Sequence, residues 1–366
     1  MALTQIKQSN IDSGFSPSYR NLIINGDMQI AQRGTSQAGI TGVGYYTVDR
    51  WRVSNGGAGT WTMTQDADVP NGQGFSKSLK MQCTTAEPTL GVDDNILINQ
   101  RVEGYTLQQL AKGTSNAKSV SFSFWIKSNK TGTYICEIYD LDNGRNISKA
   151  YTIDVANTWE RKTITFAGDT SGAFDNDNNA SMQISWQLAP GANYTSGTLA
   201  TSWESAVQGN RYAGQTVNLA DSTSNYINIT GVQLEVGEAA TPFEHRPYGT
   251  ELDLCQRYCY TIATSGAYSA YATTGQFVST TRVDFPILFP TYMRGSPTGT
   301  YSAANTFLPS SAGADFTPSA VASVAGSASS QAITVTFTVS GATAGRAATL
   351  TDLNTASSKM TFSAEL

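Results

Sequence analysis

Charge is scarce in this chain. Asp, Glu, Lys and Arg make up 14% of its 366 residues, against roughly a quarter in an average soluble domain. Long helices laced with ion pairs are therefore not expected. Positive charge does not dominate either: 23 Lys and Arg stand against 28 Asp and Glu, for a net charge of −5 and no basic run. Such a surface repels a phosphate backbone, so neither nucleic acid nor an anionic membrane surface is an expected partner. No apolar stretch approaches the roughly 20 residues of a spanning helix, and membrane insertion is not expected. Residues 1–10 lack the basic start and apolar core of a secretory leader, which points to synthesis in a reducing cytoplasm. There the four cysteines, Cys83, Cys136, Cys255 and Cys259, do not suggest a disulfide framework. Cys255 and Cys259 would share one face of a helix. They are two ligands short of a zinc site, so they read as small buried apolar groups.

Histidine is nearly absent. His245 is the only one, in a stretch flanked by Pro242 and Pro247, where it reads as a packing or hydrogen-bonding residue. No H-E-x-x-H, G-x-S-x-G or Walker A pattern occurs, so no catalytic residues are assigned and the chain is expected not to be an enzyme. Asp140 with Asp142, or Asp175 with Asp177, would have to flank a glycosidic bond to hydrolyse it, and their spacing alone places neither pair so. Asp175-Asn176-Asp177-Asn178-Asn179 begins like a Ca²⁺ loop but continues with Ala180 and reaches Trp186 where an EF-hand requires glutamate. A solvated acidic turn is the preferred reading, with a looser structural Ca²⁺ site as the alternative. No other metal or cofactor is expected.

What the chain does have is Gly, Ser, Thr, Asn and aromatic residues, the last at 10%, a usage that suits short strands and tight turns. Val120-Ser121-Phe122-Ser123-Phe124-Trp125-Ile126 alternates strictly, which puts Val120, Phe122, Phe124 and Ile126 on one buried face and Trp125 on the other. Asp142-Asn143-Gly144 marks a hairpin after Tyr134–Tyr139. Further strands are expected at Asn21–Ile24, Met28–Arg33, Tyr45–Val53, Thr60–Thr64, Ser148–Val155, Trp159–Phe166, Met182–Leu188 and Tyr226–Val236. Helical turns are expected only at Gln108–Lys112 and Leu252–Tyr260. Strands so spaced, without alternating helices, indicate an all-β jelly-roll β-sandwich. Residues 1–20 read as an extended N-terminal arm and residues 21–250 as the jelly roll. Residues 251–366 read as a small C-terminal β-domain with strands at Thr280–Phe285, Ala332–Val339 and Met360–Leu366. Pro286 should sit at a sheet edge or begin a bend.

Tryptophan and tyrosine rings can stack on the apolar face of a sugar while neighbouring amides bind its hydroxyls, although most tryptophans in a sandwich are core. Trp186 and Trp203 flank the polar 189–202 loop. With Tyr194 and Tyr212 they are the glycan-binding candidates.

Asn21-Leu22-Ile23-Ile24-Asn25-Gly26-Asp27-Met28-Gln29-Ile30-Ala31-Gln32-Arg33-Gly34 followed by Asp49-Arg50-Trp51 resembles the opening of many bacteriophage tail-fibre and virion appendage proteins. Phe122–Lys127, Trp159-Glu160-Arg161 and Ile229–Gly237 resemble their carbohydrate-binding-module-like jelly roll, and Ala240–Pro247 its close. Cys255–Tyr258, Phe285-Pro286 and Met293–Thr298 resemble the small domain that often follows. The resemblance implies a structural virion protein on the tail or capsid surface. It would be a homotrimer joined to other virion proteins through its N-terminal arm. Its function would be that of a tail fibre or tail-associated subunit contributing to host-surface glycan recognition. The alternative is a capsid fibre or decoration subunit with a mainly structural role, and the third reading is a glycan hydrolase.

Overall fold

The computed structural model describes residues 19–264, 268–353 and 358–366. The chain divides into two compact units between Tyr248 and Gly249. In chain order the strands of the first unit begin with β1 (Ser36–Ile40), β2 (Gly44–Tyr45), β3 (Arg52–Gly56), β4 (Thr60–Asp66), β5 (Ser78–Thr85) and β6 (Asn95–Glu103). They continue with β7 (Val120–Ser128), β8 (Gly132–Asp140), β9 (Arg145–Ile153), β10 (Glu160–Phe166), β11 (Ala180–Pro190), β12 (Glu204–Ser205) and β13 (Tyr226–Val236). One sheet has the order β1-β4-β5-β13-β7-β10 and the facing sheet the order β12-β9-β8-β11-β6-β3-β2. The two form an antiparallel jelly-roll sandwich.

Period-two alternation fills the space between the sheets. Phe122, Phe124 and Ile126 of β7 are fully buried, with Val120 5% exposed. From the opposite sheet Trp186 of β11 meets Phe122 at 5.1 Å, Phe124 at 5.3 Å and Trp51 at 5.6 Å between ring centroids. The tilted and edge-on geometry is the one aromatic quadrupoles favour.

The opening segment departs from expectation. Neither Asn21–Ile24 nor Met28–Arg33 is a strand. Asn25 (φ 57°) and Met28 (φ 61°) hold left-handed backbone, which breaks a strand's alternation, and side chains replace the ladder. The Asn21 amide accepts from the Ile23 and Leu234 N–H groups and donates to the Val232 carbonyl. The Asn25 amide bonds both backbone groups of Ile30, and the Trp51 indole donates to the Asn25 carbonyl at 3.0 Å. Within Tyr45–Val53 only the two ends pair, as β2 and β3. Strands β5 and β6 have no counterpart in the sequence reading.

The base of the arm is also packed. Glu244 accepts from the backbone N–H groups of Tyr19 and Asn21. Arg246 donates to the carbonyls of Asn21 and Ile23, and Arg20 Nε lies 3.2 Å from Glu235. Tyr19 and Arg20, placed in the arm by the sequence reading, thus belong to the jelly roll's own hydrogen bonding; residues 1–18 lie outside the described residues.

The second unit holds β14 (Cys259–Ala263), β15 (Ala270–Ser279), β16 (Arg282–Leu288), β17 (Thr298–Tyr301), β18 (Phe307–Ser311), β19 (Ala314–Asp315), β20 (Ala320–Ser323), β21 (Ala332–Thr338), β22 (Ala347–Asp352) and β23 (Lys359–Ser363). The sheets run β14-β23-β17 and β19-β18-β22-β15-β16-β21-β20. Phe277, Phe285, Phe307, Phe337 and Phe362 fill its core. Pro286 is neither at an edge strand nor at a bend. It pairs with Thr334 inside β16, at a point where the ladder to β15 has already ended at Asp284, so its missing N–H costs no bond. The expected helix at Leu252–Tyr260 lies at Tyr248–Gln256 instead. Cys259 therefore starts β14 and shares no helical face with Cys255. All four cysteines are buried and none is in a disulfide among the described residues. No helix among the described residues is long and apolar enough to cross a membrane.

Candidate functional site

The four glycan candidates are not brought together. Trp186 is fully buried between the sheets, so it offers no face to a sugar; its place on β11 put it in the core. Tyr212 is also fully buried. Its hydroxyl donates to Glu137 at 2.9 Å, and Arg211 binds the same carboxylate through two nitrogens at 2.8 and 2.6 Å. Burial raises the Tyr212 phenol well above its usual range, though the Arg211 charge opposes this. Tyr194 is half-buried beside Tyr212 at 6.3 Å and packs with Leu199 against Leu97 and Ile135. This small apolar cluster holds the loop after β11 down over the outer face of its sheet.

Trp203 is half-buried over an ion cluster. The Lys112 ammonium lies 5.2 Å from its ring centre and 5.1 Å from that of Phe174. The same ammonium sits 2.5 Å from Asp140 Oδ2 and 3.1 Å from Asp169 Oδ2. It donates to the carbonyls of Ser171 at 2.9 Å and Gly172 at 2.6 Å. Arg145 reaches Asp169 at 2.7 Å. Two carboxylates and two carbonyls converging on one point would suit a hard cation; here a lysine fills it. Desolvation pushes the Asp169 carboxyl up, but hydrogen bonds from Arg145, the Ser171 N–H and Lys112 outweigh it and hold the pKa below its ordinary value. In the 175–179 loop, Asp177 accepts from the Asn179 N–H at 2.9 Å, as in a polar turn. Among the described residues no three His, Cys, Asp or Glu side chains gather where they could hold a metal ion.

An open cleft lies on the outer face of the other sheet. Trp125 stands on β7 between Thr230 of β13 and Arg161 of β10 in register, on the face opposite Phe122 and Phe124, and is half-buried. Phe75 comes over from the β4–β5 loop, and Phe243 and His245 from the segment after β13. Phe75 meets Phe243 at 5.1 Å and His245 at 5.4 Å, while Phe243 meets His245 at 4.9 Å. The rings converge because β13 bulges between Thr230 and Gln233. Gly231 sits in that bulge at φ 61°. A Cβ there would lie 2.6 Å from the Phe75 ring and 3.0 Å from Trp125, so only glycine permits this approach. The cleft encloses about 390 Å³ and is also lined by Gln73, Ser123, Arg161 and Thr241. Apolar walls with a few amide, hydroxyl and guanidinium groups are the composition of a small-molecule or saccharide site. The alternation of β7 marks Trp125 as outward-facing. Phe75 and Phe243, 168 residues apart, meet only through the tertiary fold.

This architecture is that of an all-β jelly-roll sandwich. No protein-family model and no curated protein matches the chain. Among solved structures, the enzymatically active domain of tailspike protein 4 of bacteriophage CBA120 is 18% identical, over 60% of this chain and 22% of that one, with a TM-score of 0.30. The chain thus spans about a fifth of that protein's length. A sugar-binding protein of Bacteroides thetaiotaomicron is 11% identical over 60% of this chain and 100% of its own, with a TM-score of 0.34. A family 11 carbohydrate-binding module of Clostridium thermocellum is 12% identical over 57% and 98%, with a TM-score of 0.28.

Proposed function

We propose that this chain is a non-enzymatic bacteriophage virion subunit, a tail fibre or tail-associated protein, whose jelly roll recognises a host-surface glycan at the Trp125 cleft. The observation that carries the reading is the cleft itself. Four rings are exposed or half-buried on a sheet face, held open by a glycine-dependent bulge, and bordered by side chains that bond hydroxyls. A packed core has no use for this arrangement. The virion assignment rests on the resemblance of the opening and closing motifs. With it go a homotrimeric assembly, attachment through the arm, and a place on the tail or capsid surface.

The test is saturable binding of the purified full-length protein to host cells and to their isolated surface polysaccharide. Trp125→Ala is expected to weaken binding by about 2 kcal/mol, a factor of about 30, as loss of a central aromatic anchor does. Its melting temperature should change little, because the side chain lies outside the core. Unchanged affinity in this variant would remove the cleft from the reading. A folded wild-type protein that ignores both cells and polysaccharide would favour a capsid decoration role.

Removal of residues 1–18 is expected to leave a folded oligomer that no longer enters particles, because the clasp from Tyr19 onward stays intact. Particle incorporation assayed in infected cells checks this, and normal incorporation of the truncated chain would overturn the anchor assignment.

A further inference from the structure

The outer face of the sheet containing β11 is only half covered. The loop after β11 is bonded across β8 and β9, with Ser148 N–H donating to the Ala200 carbonyl at 2.7 Å and Thr216 N–H to the Thr133 carbonyl at 3.1 Å. On the β2, β3 and β6 side of the same face Leu97 and Asn99 are buried, while Tyr45, Arg52, Ser54 and Arg101 stay partly exposed. In register across it stand Tyr45, Arg52, Asn99, Ser185 and Glu137, and in the next row Arg101, Gln183 and Tyr139. Directly paired residues share a face, so Arg52 and Arg101 project from the same side. Arg52 is opposite Asn99, which makes Arg101 its diagonal neighbour, at about 7 Å between Cβ atoms.

These two arginines are half-buried, and among the described residues neither meets a carboxylate. Arg52 donates to the Ser54 hydroxyl at 2.6 Å and Arg101 to the Gln183 amide oxygen at 3.3 Å. Glu137 on this face is already matched by Arg211. Glu103, farther along β6, is buried and partnered. Desolvation and then the Arg101 charge lower the Arg52 pKa, with Tyr45 and Tyr46 opposing. Two like charges are thus held together, partly out of water, with no carboxylate partner among the described residues. Half-buried guanidiniums normally come paired, since uncompensated buried charge is costly.

We propose that Arg52 and Arg101 form a subsite for one anionic oxo group, a carboxylate or phosphate, borne by an acidic saccharide. Each guanidinium presents a planar fork of donors to the anion. Tyr45 and Tyr46 lie close enough to act on the Arg52 charge. The anion site stands on the two arginines alone; the saccharide carrier rests on the glycan-binding reading above.

The experiment is thermal melting of the full-length protein titrated with inorganic phosphate, with D-glucuronate and with D-glucose. Sodium chloride holds the ionic strength fixed, because screening alone relieves some repulsion. Phosphate and glucuronate should raise the midpoint by binding the folded state, and glucose should not. Arg52→Gln and Arg101→Gln should each weaken the anion effect about tenfold, as loss of one charge-assisted contact does. Without anion both variants should melt no lower than the wild type, because each removes one of the two repelling charges. That keeps the test readable as a loss of binding rather than of folding. A midpoint no higher in phosphate and glucuronate than in chloride would overturn the site, as would an effect that survives in the double variant. Half-effect at a lower concentration for glucuronate than for phosphate supports the saccharide carrier, and the reverse order overturns it. Trp125→Ala should leave the anion effect intact, so failure of the cleft and failure of this site are separately visible.

Discussion

Trp186→Ala is expected to destabilise the jelly roll by about 3–5 kcal/mol, the cost of emptying a large aromatic site in a close-packed core. The indole contacts Phe122 and Phe124 from across the sandwich and Trp51, just ahead of β3 in its own sheet, and the deletion leaves a cavity those rings cannot close without giving up their own packing. Trp186→Phe should cost much less. It retains most of the ring, and the indole N–H it removes has no hydrogen-bond partner among the described residues. Denaturant unfolding of the three proteins checks the order, and near-equal stability of wild type and Trp186→Ala would contradict the core assignment. This variant cannot locate a ligand site: any loss of glycan binding would arise through unfolding. Trp125→Ala, on the outer face, carries no such ambiguity.

Lys112→Ala is the second large effect. Lys112 and Asp140 are almost wholly buried, and the ammonium bonds two carboxylates and two carbonyls. Removing it takes away the ion pair of Asp140, and breaking a buried pair from one side costs about 3–5 kcal/mol. Lys112→Met keeps the stem against Trp203 and Phe174 but loses the charge, so it should fall between wild type and alanine. The wild type should melt at the same temperature with and without EDTA. In Lys112→Ala the vacated oxygen cage should make melting respond to added Ca²⁺. Calorimetry of wild type and variant with Ca²⁺ or EDTA reads both; EDTA-sensitive melting of the wild type would show that the lysine does not replace a metal. Acid has a defined sign here. The depressed pKa of Asp169 contributes stability that is complete above its ordinary value of 3.8. It is lost as pH falls from there through the depressed value, so this cluster should not weaken between neutrality and about pH 5.

How far the sequence reveals these features depends on whether their signals are local. The face assignment of β7 is local, because strict alternation over seven residues leaves one solution. It buried Phe122 and Phe124 and turned Trp125 outward. The same signal holds in β11, where Met182, Ile184, Trp186 and Leu188 alternate with Gln183, Ser185 and Gln187, so alternation places Trp186 in the core and its position beside the polar 189–202 loop is what misled. The opening segment was misread for another reason. Asn21-Leu22-Ile23-Ile24 has strand composition, but only the Leu22 N–H bonds a neighbouring backbone, at Leu234; the Asn21 N–H goes to Glu244 and those of Ile23 and Ile24 to the amides of Asn21 and Gln100, a choice only the folded neighbours determine. The Arg52–Arg101 pair is similar: 49 residues separate them in sequence, and only the register of β3 on β6 makes them neighbours.

The clasp at the base of the jelly roll has a mechanical consequence. Tyr19, Arg20 and Asn21 are bonded to Glu235, Thr241, Glu244 and Arg246, so the chain enters and leaves the sandwich at one corner. Tension applied between residue 19 and residue 246 falls first on these few bonds, while the residues between them hang off the line of force. A particle straining against a cell would pull on the clasp, and with it on Thr241, Phe243 and His245 at the rim of the Trp125 cleft, while the sheets and the arginine face stay unstretched.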